Sequence, residues 1–89
     1  MKVYFSHKFT SQYKLLKKRD PKMAKKLQKR IAIFIKNPYH PILKTHSLTG
    51  KLREKWAFWI SWDLRIVFEL INKSSVRFLA VGKHDQVYK

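Results

Sequence analysis

The clearest hydrophobic pattern lies in residues 55–71, KWAFWISWDLRIVFELI, where two kinds of position alternate with a period of two. Such alternation in a segment rich in aromatic residues predicts β-strands. The apolar residues that share one parity are Trp56, Phe58, Ile60, Trp62, Leu64, Ile66, Phe68 and Leu70. The two runs meet near Trp62 and Asp63, which predicts a tight antiparallel hairpin. Because Arg65 and Glu69 have the opposite parity, we expect one face in the core and a functional second face.

Helical periodicity precedes this hairpin. Ser6 is a suitable N-cap for a helix that continues to about Lys18. Asp20 and Pro21 then fit the N-cap and first position of a second helix, which should end near Lys36 because Asn37 precedes a proline. The apolar residues on one face are Phe9, Tyr13 and Leu16 in the first helix, and Met23, Leu27, Ile31, Phe34 and Ile35 in the second. The pattern predicts an αα-hairpin.

Three shorter segments complete the predicted fold. Residues 2–5 alternate weakly, with Val3 and Phe5 on one side, as in a short edge strand, and residues 43–48 have room for another short strand. Residues 76–81 predict a last strand with Val76, Phe78 and Ala80 on one face, ended by Gly82. We therefore predict a single α+β domain over residues 1–89, in which a small antiparallel β-sheet packs against an N-terminal helical hairpin in the order β-α-α-β-β-β.

Charge adds a functional constraint to this fold. The chain has 21 Lys and Arg against five Asp and Glu, a formal net charge of +16. The excess is largest in residues 1–40, which hold twelve basic residues and one acidic residue. Such an excess indicates a polyanionic partner or a neutralising acidic protein. Nucleic acid is the first candidate because its phosphates bind clustered Lys and Arg side chains and release counterions. The alternative is a basic surface that is merely solvated.

Composition also excludes several classes of site. The absence of cysteine excludes disulfides and thiolate metal sites. The four histidines have no helical i, i+4 spacing and no carboxylate cluster beside them, so we expect no metal. Walker, Rossmann and nucleophile-elbow motifs are missing, so we expect no cofactor. No apolar run is as long as a membrane span, and the N-terminal residues lack a signal-peptide core. We expect a cytoplasmic protein without membrane association.

Polar residues at the ends of the predicted strands are the candidates for chemistry: His46, Asp63, Arg65, Lys83, His84 and Tyr88. These residue types suit metal-free RNA cleavage. Histidine can serve as the base or the acid that attack by a 2′-hydroxyl requires, and Lys or Arg can stabilise the charge that builds on the phosphate. An aromatic side chain can stack an unpaired base.

Each candidate also has a structural interpretation. The histidines are equally compatible with solvated side chains beside turns. Asp63 suits a turn, where it could also orient His46 or Arg65. Arg65 is spaced to form an ion pair with Glu69 on the same strand face, and Lys83 would then contribute only its charge. Residues alone leave these alternatives open.

Three motifs together carry a family resemblance: the LxGK turn at residues 48–51, DLRIVFE at 63–69 and VGKHDQVY at 81–88. With the two N-terminal helices, they resemble the RelE/ParE superfamily of bacterial toxin–antitoxin toxins, and within it the RelE/StbE or YafQ-like mRNA interferases. The resemblance covers essentially the whole chain. It implies a microbial ribonuclease-like fold that enters the ribosomal A site and cuts mRNA there.

The resemblance also implies roles for individual residues. His46 and His84 match catalytic histidines, with His46 as the general base on the 2′-hydroxyl and His84 as the general acid for the leaving 5′-oxygen. Asp63 and Arg65 match the active face, and Tyr88 matches an aromatic residue near the scissile phosphate. The residues expected to contact RNA are Lys25, Lys26, Lys29, Lys51, Arg53, Lys55, Trp59 and Lys83. Relatives usually have a basic residue or histidine on the first hairpin strand, where this chain has Ala57 and Trp59.

The resemblance further implies two partners. One is the ribosome, with its mRNA and rRNA. The other is a small acidic antitoxin, so the chain is expected to be monomeric alone and part of a hetero-oligomer when neutralised. Two other functions share this fold and charge: a ParE-like toxin that inhibits DNA gyrase, and a non-catalytic RNA-binding module. Histidines at both expected positions favour the nuclease.

Overall fold

A helical hairpin packs against one face of a five-stranded sheet in the computed structural model, which describes residues 1–50, 54–83 and 87. The elements in chain order are β1 (Lys2–Phe5), α1 (His7–Arg19), α2 (Pro21–Lys36), a short 3-10 helix (Pro41–Leu43), β2 (His46–Ser47), β3 (Lys55–Trp59), β4 (Leu64–Asn72) and β5 (Ser75–Lys83). The strand order across the sheet is β1-β5-β4-β3-β2. The predicted α+β class and helical hairpin are confirmed.

Both helices begin at the predicted caps. The Ser6 hydroxyl accepts a hydrogen bond from the Phe9 N–H at 3.0 Å and donates one to the Leu79 carbonyl at 2.8 Å, which ties the start of α1 to β5. The Asp20 carboxylate accepts a hydrogen bond from the Met23 N–H at 3.1 Å, and Pro21 occupies the first turn of α2. Satisfying otherwise unpaired N–H groups in this way fixes where each helix starts. None of the helices in the described residues is long and apolar enough to cross a membrane.

Phe34 is the centre of the main core. Its fully buried ring stacks on Phe58 at a centroid distance of 4.5 Å. It also meets the edges of Phe68 at 4.9 Å and Phe78 at 5.5 Å. One residue of α2 thereby contacts three neighbouring strands. The helical pattern placed Ile35 on the same face as Phe34, but Ile35 is 40% exposed. At this end of α2, Ile33 packs against the core instead.

The sheet differs from the predicted antiparallel meander at one edge, and the short strand for which residues 43–48 had room is present at the other. β1 pairs in parallel with β5, with Val3 opposite Val76, because the helical hairpin carries the chain back before the meander begins. A two-residue strand, β2, also pairs with β3 at the other edge, where residues 43–48 had room for one. Alternation along a strand predicts which residues share a face but not the direction of the neighbouring strand.

The strand β5 contains a bulge that the sequence pattern did not predict. Phe78 pairs with Phe68 and Ala80 pairs with Val67, so Leu79 is an extra residue. A one-residue insertion exchanges the two faces for the residues that follow. Placing Ala80 on the face of Val76 and Phe78 was therefore wrong.

The ends of the hairpin strands also depart from simple alternation. Gly82 does not end β5, which continues to Lys83. The turn between β3 and β4 occurs where predicted, but it leaves Trp62 77% exposed instead of in the core. Leu70 is 54% exposed beside a second irregularity in the pairing of β4 with β5.

Glu69 connects three strands through ion pairs. Its carboxylate lies 3.2 Å from the Lys55 ammonium on β3 and 2.8 Å from the Arg77 guanidinium on β5. Partial burial alone would raise the pKa of Glu69. The hydrogen bonds and positive charges of Lys55 and Arg77 outweigh this effect, and the pKa is lowered from its ordinary value.

Glu69→Gln tests this contribution to stability. A carboxyl group whose pKa is lower in the folded state stabilises the protein above its ordinary pKa of about 4.3, and the effect disappears as pH falls through the folded-state pKa. We expect the variant to lose about 1 kcal/mol of unfolding free energy at pH 7 and to converge on the wild type at acid pH.

Urea unfolding at several pH values measures the difference between the two proteins. Glu54→Gln is the matched control because it removes the same charge at an exposed position. A difference between wild type and Glu69→Gln that is as large at pH 3 as at pH 7 would show that the ion pairs are not its source.

Candidate active site

The candidate site lies on the sheet face opposite the helices, here called the second face. Its side chains form rows, because residues paired directly across neighbouring strands point to the same side. One row contains His46, Ala57, Val67 and Ala80, the next contains Trp59, Arg65 and Gly82, and a third contains Lys55, Glu69 and Arg77. The register therefore brings His46, Trp59 and Arg65 into adjacent rows. The alternation correctly placed Trp59 and Arg65 on one face.

The second face also has an apolar cluster of its own. Its buried members are Ala57, Val67, Ala80 and Val87, with Leu48 and Leu79 packed against them. The sequence indicates that Ala57 and Val67 belong to this cluster, since both are apolar and alternate with the core residues. Ala80 reaches this face only through the bulge, and Val87 reaches it only through tertiary packing. The second face therefore combines an apolar cluster with exposed polar side chains.

His46 lies on the edge strand β2, and its side chain is exposed. Its Nδ1 atom is 2.8 Å from the Lys44 carbonyl oxygen. A carbonyl oxygen can only accept, so Nδ1 carries the hydrogen in this contact. In the neutral imidazole, Nε2 then has the free lone pair. This tautomer allows His46 to accept a proton through Nε2.

Trp59 is the contact point of two cations. The Arg65 guanidinium carbon lies 4.7 Å from the Trp59 ring centroid, and the Lys44 ammonium nitrogen lies 5.1 Å from it. Both distances are within the range of cation–π attraction. Glu69 pairs with Lys55 and Arg77, so the alternative in which Arg65 forms an ion pair with Glu69 is not the arrangement observed. Lys55, expected to contact RNA, has its charge engaged by Glu69.

Asp63 has the turn role that its residue type suggested. Its carboxylate accepts a hydrogen bond from the Ser61 hydroxyl at 3.0 Å, inside a turn closed by the Ile60 N–H and the Leu64 carbonyl at 2.8 Å. Within the described residues, this hydrogen bond joins Asp63 to Ser61 and not to His46 or Arg65. Its contact supports the geometry of the hairpin.

Lys83 lies on the other side of the sheet from Arg65. It pairs with Leu64, which packs in the core beneath the helices. Lys83 also lines a groove of about 540 Å³ beside α1, together with Arg19 and Leu15. The register that the bulge at Leu79 sets therefore places Lys83 and Arg65 on opposite sides of the sheet, so the two side chains do not share one face.

The remaining predicted residues separate into two groups. Lys25, Lys26 and Lys29 are exposed on α2, in the layer opposite the second face. Four other candidates lie outside the described residues: Lys51, Arg53, His84 and Tyr88. Sequence reasoning missed Lys44, whose only signal was a basic residue two positions before His46. No three His, Cys, Asp or Glu side chains within residues 1–50, 54–83 and 87 form a group that could hold a metal ion.

Comparison with solved structures places this fold among small bacterial toxins. YafQ from Escherichia coli strain BL21(DE3) superposes with a TM-score of 0.83 at 22% identity, covering 98% of this chain and 97% of that one. The E. coli DinJ–YafQ complex gives a TM-score of 0.80 at 22% identity, with 98% and 97% covered. The YoeB/ParE toxin from Agrobacterium tumefaciens gives 0.81 at 19% identity, with 94% and 99% covered. These likenesses show a shared fold.

Sequence comparison identifies the family. No curated protein matches the chain significantly. A family model described as "Bacterial toxin of type II toxin-antitoxin system, YafQ" matches residues 1–89, which confirms the resemblance drawn from the motifs. The protein therefore belongs to the YafQ family of bacterial toxins of type II toxin–antitoxin systems.

Proposed function

We propose that this toxin is an endoribonuclease that cuts mRNA in the ribosomal A site by acid–base chemistry, with His46 as the general base. The observation that carries the proposal is the contact between His46 Nδ1 and the Lys44 carbonyl, which leaves Nε2 able to accept a proton on an exposed edge strand. Arg65 and Trp59 in the neighbouring row support it, because they provide a cation for a phosphate and a ring for a base.

The proposed reaction is an internal transesterification. His46 Nε2 removes the proton of a ribose 2′-hydroxyl, and the 2′-oxygen forms a bond to the adjacent phosphorus. The bond from phosphorus to the 5′-oxygen breaks, and that oxygen receives a proton from a general acid, for which the family resemblance indicates His84. The products are a 2′,3′-cyclic phosphate and a 5′-hydroxyl. Arg65 offsets the charge that develops on the phosphate oxygens, and Tyr88 and Trp59 contact the neighbouring bases.

Charge supports ribosomal RNA as the docking partner. The chain's five acidic residues offset only five of its 21 basic residues, which leaves the net charge of +16. Exposed Lys25, Lys26 and Lys29 place part of this charge on α2, away from the second face. Phosphates of rRNA would bind there through release of counterions, leaving the second face available for mRNA.

The same charge supports an acidic antitoxin as the neutralising partner. The fold matches that of a toxin solved in a DinJ–YafQ complex, and the family is defined by toxin–antitoxin pairs. We propose that a small acidic protein binds this chain through a segment that folds on contact and matches the Lys and Arg side chains with carboxylates. Binding would stop cleavage by covering the second face or by preventing entry into the ribosome.

Cleavage of mRNA on translating ribosomes tests the proposed reaction. We expect cuts within ribosome-bound mRNA, 2′,3′-cyclic phosphate ends, and no cut where the scissile 2′-hydroxyl is replaced by hydrogen. His46→Gln should lower the cleavage rate about a hundredfold, the usual size of a general base contribution. Primer extension locates the cuts, and end-specific ligation identifies the products.

His7→Gln is the matched control for this variant, because His7 is an exposed histidine at the start of α1. Wild-type cleavage by His46→Gln would remove His46 from the mechanism. Covalent gyrase–DNA complexes without any cut in mRNA would replace the nuclease by a gyrase inhibitor. RNA binding without either activity would indicate a binding module.

Substitution of Lys25, Lys26 and Lys29 on α2 by glutamate tests the docking surface. Fewer phosphate contacts should weaken ribosome binding at low salt and make the logarithm of affinity depend less steeply on salt, by about two units of slope. Cosedimentation with ribosomes at several salt concentrations measures both quantities.

Charge reversal of Lys2, Lys36 and Lys73 is the control for this experiment. These exposed lysines lie on β1, at the C-terminal end of α2 and in the turn between β4 and β5, and their reversal changes the net charge equally. Far-ultraviolet circular dichroism verifies that both triple variants are folded. Equal binding by the two triple variants would show that this part of α2 is not the docking surface.

Neutralisation by the acidic protein encoded beside this chain tests the proposed partner. Expression of the chain alone should arrest growth, and co-expression should relieve the arrest. Mixing the purified proteins should stop cleavage near equal molar ratios and increase the helical or strand signal in circular dichroism, because the antitoxin segment orders on binding. A chain that is harmless alone and unaffected by this protein would contradict the antitoxin proposal.

A further inference from the structure

Lys44 contacts one residue in each of two neighbouring rows, His46 in one and Trp59 in the next. Its backbone conformation holds it in this position. It follows the 3-10 helix Pro41–Leu43 and has a φ of 49°, in the left-handed region that side chains other than glycine rarely adopt. Its N–H donates to the Pro41 carbonyl at 3.3 Å, and its own carbonyl accepts from His46 Nδ1 at 2.8 Å. Unusual backbone conformations of this kind are common at functional sites. The conformation of Lys44 is thus coupled to the orientation of His46.

The side chain of Lys44 reaches the same ring as Arg65. Both cationic groups lie about 5 Å from the Trp59 centroid. They are therefore within about 10 Å of each other, no more than one Debye length at 0.1 M salt. Salt does not fully screen their mutual repulsion at this separation, and an anion bound by both would remove it. The ring attracts each cation and holds the pair in place without neutralising either charge.

The position of this pair relative to His46 specifies the anion. Lys44 lies two residues before His46, which begins the edge strand β2, and Trp59 and Arg65 form the row next to that of His46. An anion held by the two cations would therefore lie beside the imidazole. A phosphodiester suits this site because it offers two oxygens to two separate cations, and an aromatic ring beside them suits the attached nucleotide.

We propose that Lys44 and Arg65, held against Trp59, bind one phosphodiester group of an RNA strand beside His46. The choice of RNA as the ligand rests on the proposed function. The cation pair itself rests on the contacts of Lys44, Trp59 and Arg65. Lys44 is thereby a binding residue through its ammonium group and a positioning residue for His46 through its carbonyl.

Binding of a fluorescent RNA oligonucleotide with 2′-O-methyl groups throughout tests this site without cleavage. Lys44→Gln removes the charge and retains the length of the side chain. We expect about fivefold weaker binding at 0.1 M salt and a salt slope smaller by about 0.7 to 1. Lys44→Arg should bind like the wild type. Lys73→Gln is the control for net charge, because Lys73 is exposed in the turn between β4 and β5.

Trp59→Leu provides an independent variant. If the ring holds the two cations, the loss caused by Lys44→Gln should become smaller in the Trp59→Leu background, since residues that act together are not additive. Thermal unfolding establishes that each variant is folded before binding is compared. Full additivity of the two substitutions would show that the ring does not organise the pair.

Cleavage by the same variants separates the two proposals. If Lys44→Gln and Lys73→Gln bind with equal affinity and salt slope, the phosphodiester site is wrong, even if the wild type cuts mRNA. If binding depends on Lys44 but the wild type cuts no RNA, the site stands and the nuclease proposal fails. Cleavage together with Lys44-dependent binding supports both.

Discussion

The pairing register of β4 with its two neighbours determines on which side of the sheet the described candidate side chains of these strands lie. β4 places Ile66 and Phe68 against the helices and Arg65, Val67 and Glu69 on the second face. A slip of one residue would exchange these sets, moving Arg65 toward the core and Phe68 toward solvent. Phe34 opposes such a slip, because its ring contacts Phe58, Phe68 and Phe78 on three strands at once. The core and the functional face are therefore fixed by the same register.

The charge distribution separates structural from functional residues. Three of the five acidic residues have structural partners within the described part of the chain: Asp20 at a helix cap, Asp63 in a turn and Glu69 between two bases. These contacts compensate only a small part of the basic excess. The remaining positive charge favours binding to polyanions, both nucleic acid and an acidic antitoxin. Under the proposed function, a common electrostatic surface would allow a small acidic protein to compete with RNA for this toxin.

Much of the fold follows from local sequence signals. The helices are predictable from the caps at Ser6 and Asp20 and from the apolar face that contains Phe34. The central hairpin is predictable from the alternation around Asp63. Each of these signals acts within a few residues. The parallel pairing of β1 and the bulge at Leu79 could not be predicted in this way, since both depend on contacts between distant segments.

The candidate site was predictable to a similar extent. The parity of Arg65 and Trp59 placed them on the second face, and residue chemistry selected His46. Lys44 was missed because its role depends on a left-handed backbone and on a ring contributed by β3. The side of the sheet on which Lys83 lies could not be predicted, because the pattern contained no sign of the bulge. Tertiary contacts therefore decide which of the basic residues gather at the site.

The central claim is that RNA binds on the second face of the sheet, beside His46, while the helices face away from it. Chemical-shift mapping of the isotopically labelled protein with a 2′-O-methyl RNA oligonucleotide tests this most directly. The claim predicts the largest changes at the Trp59 indole N–H, the His46 ring and the backbone amides around Arg65. Changes confined to the exposed lysines of α1 and α2, with the Trp59 and His46 signals unmoved at saturation, would contradict it.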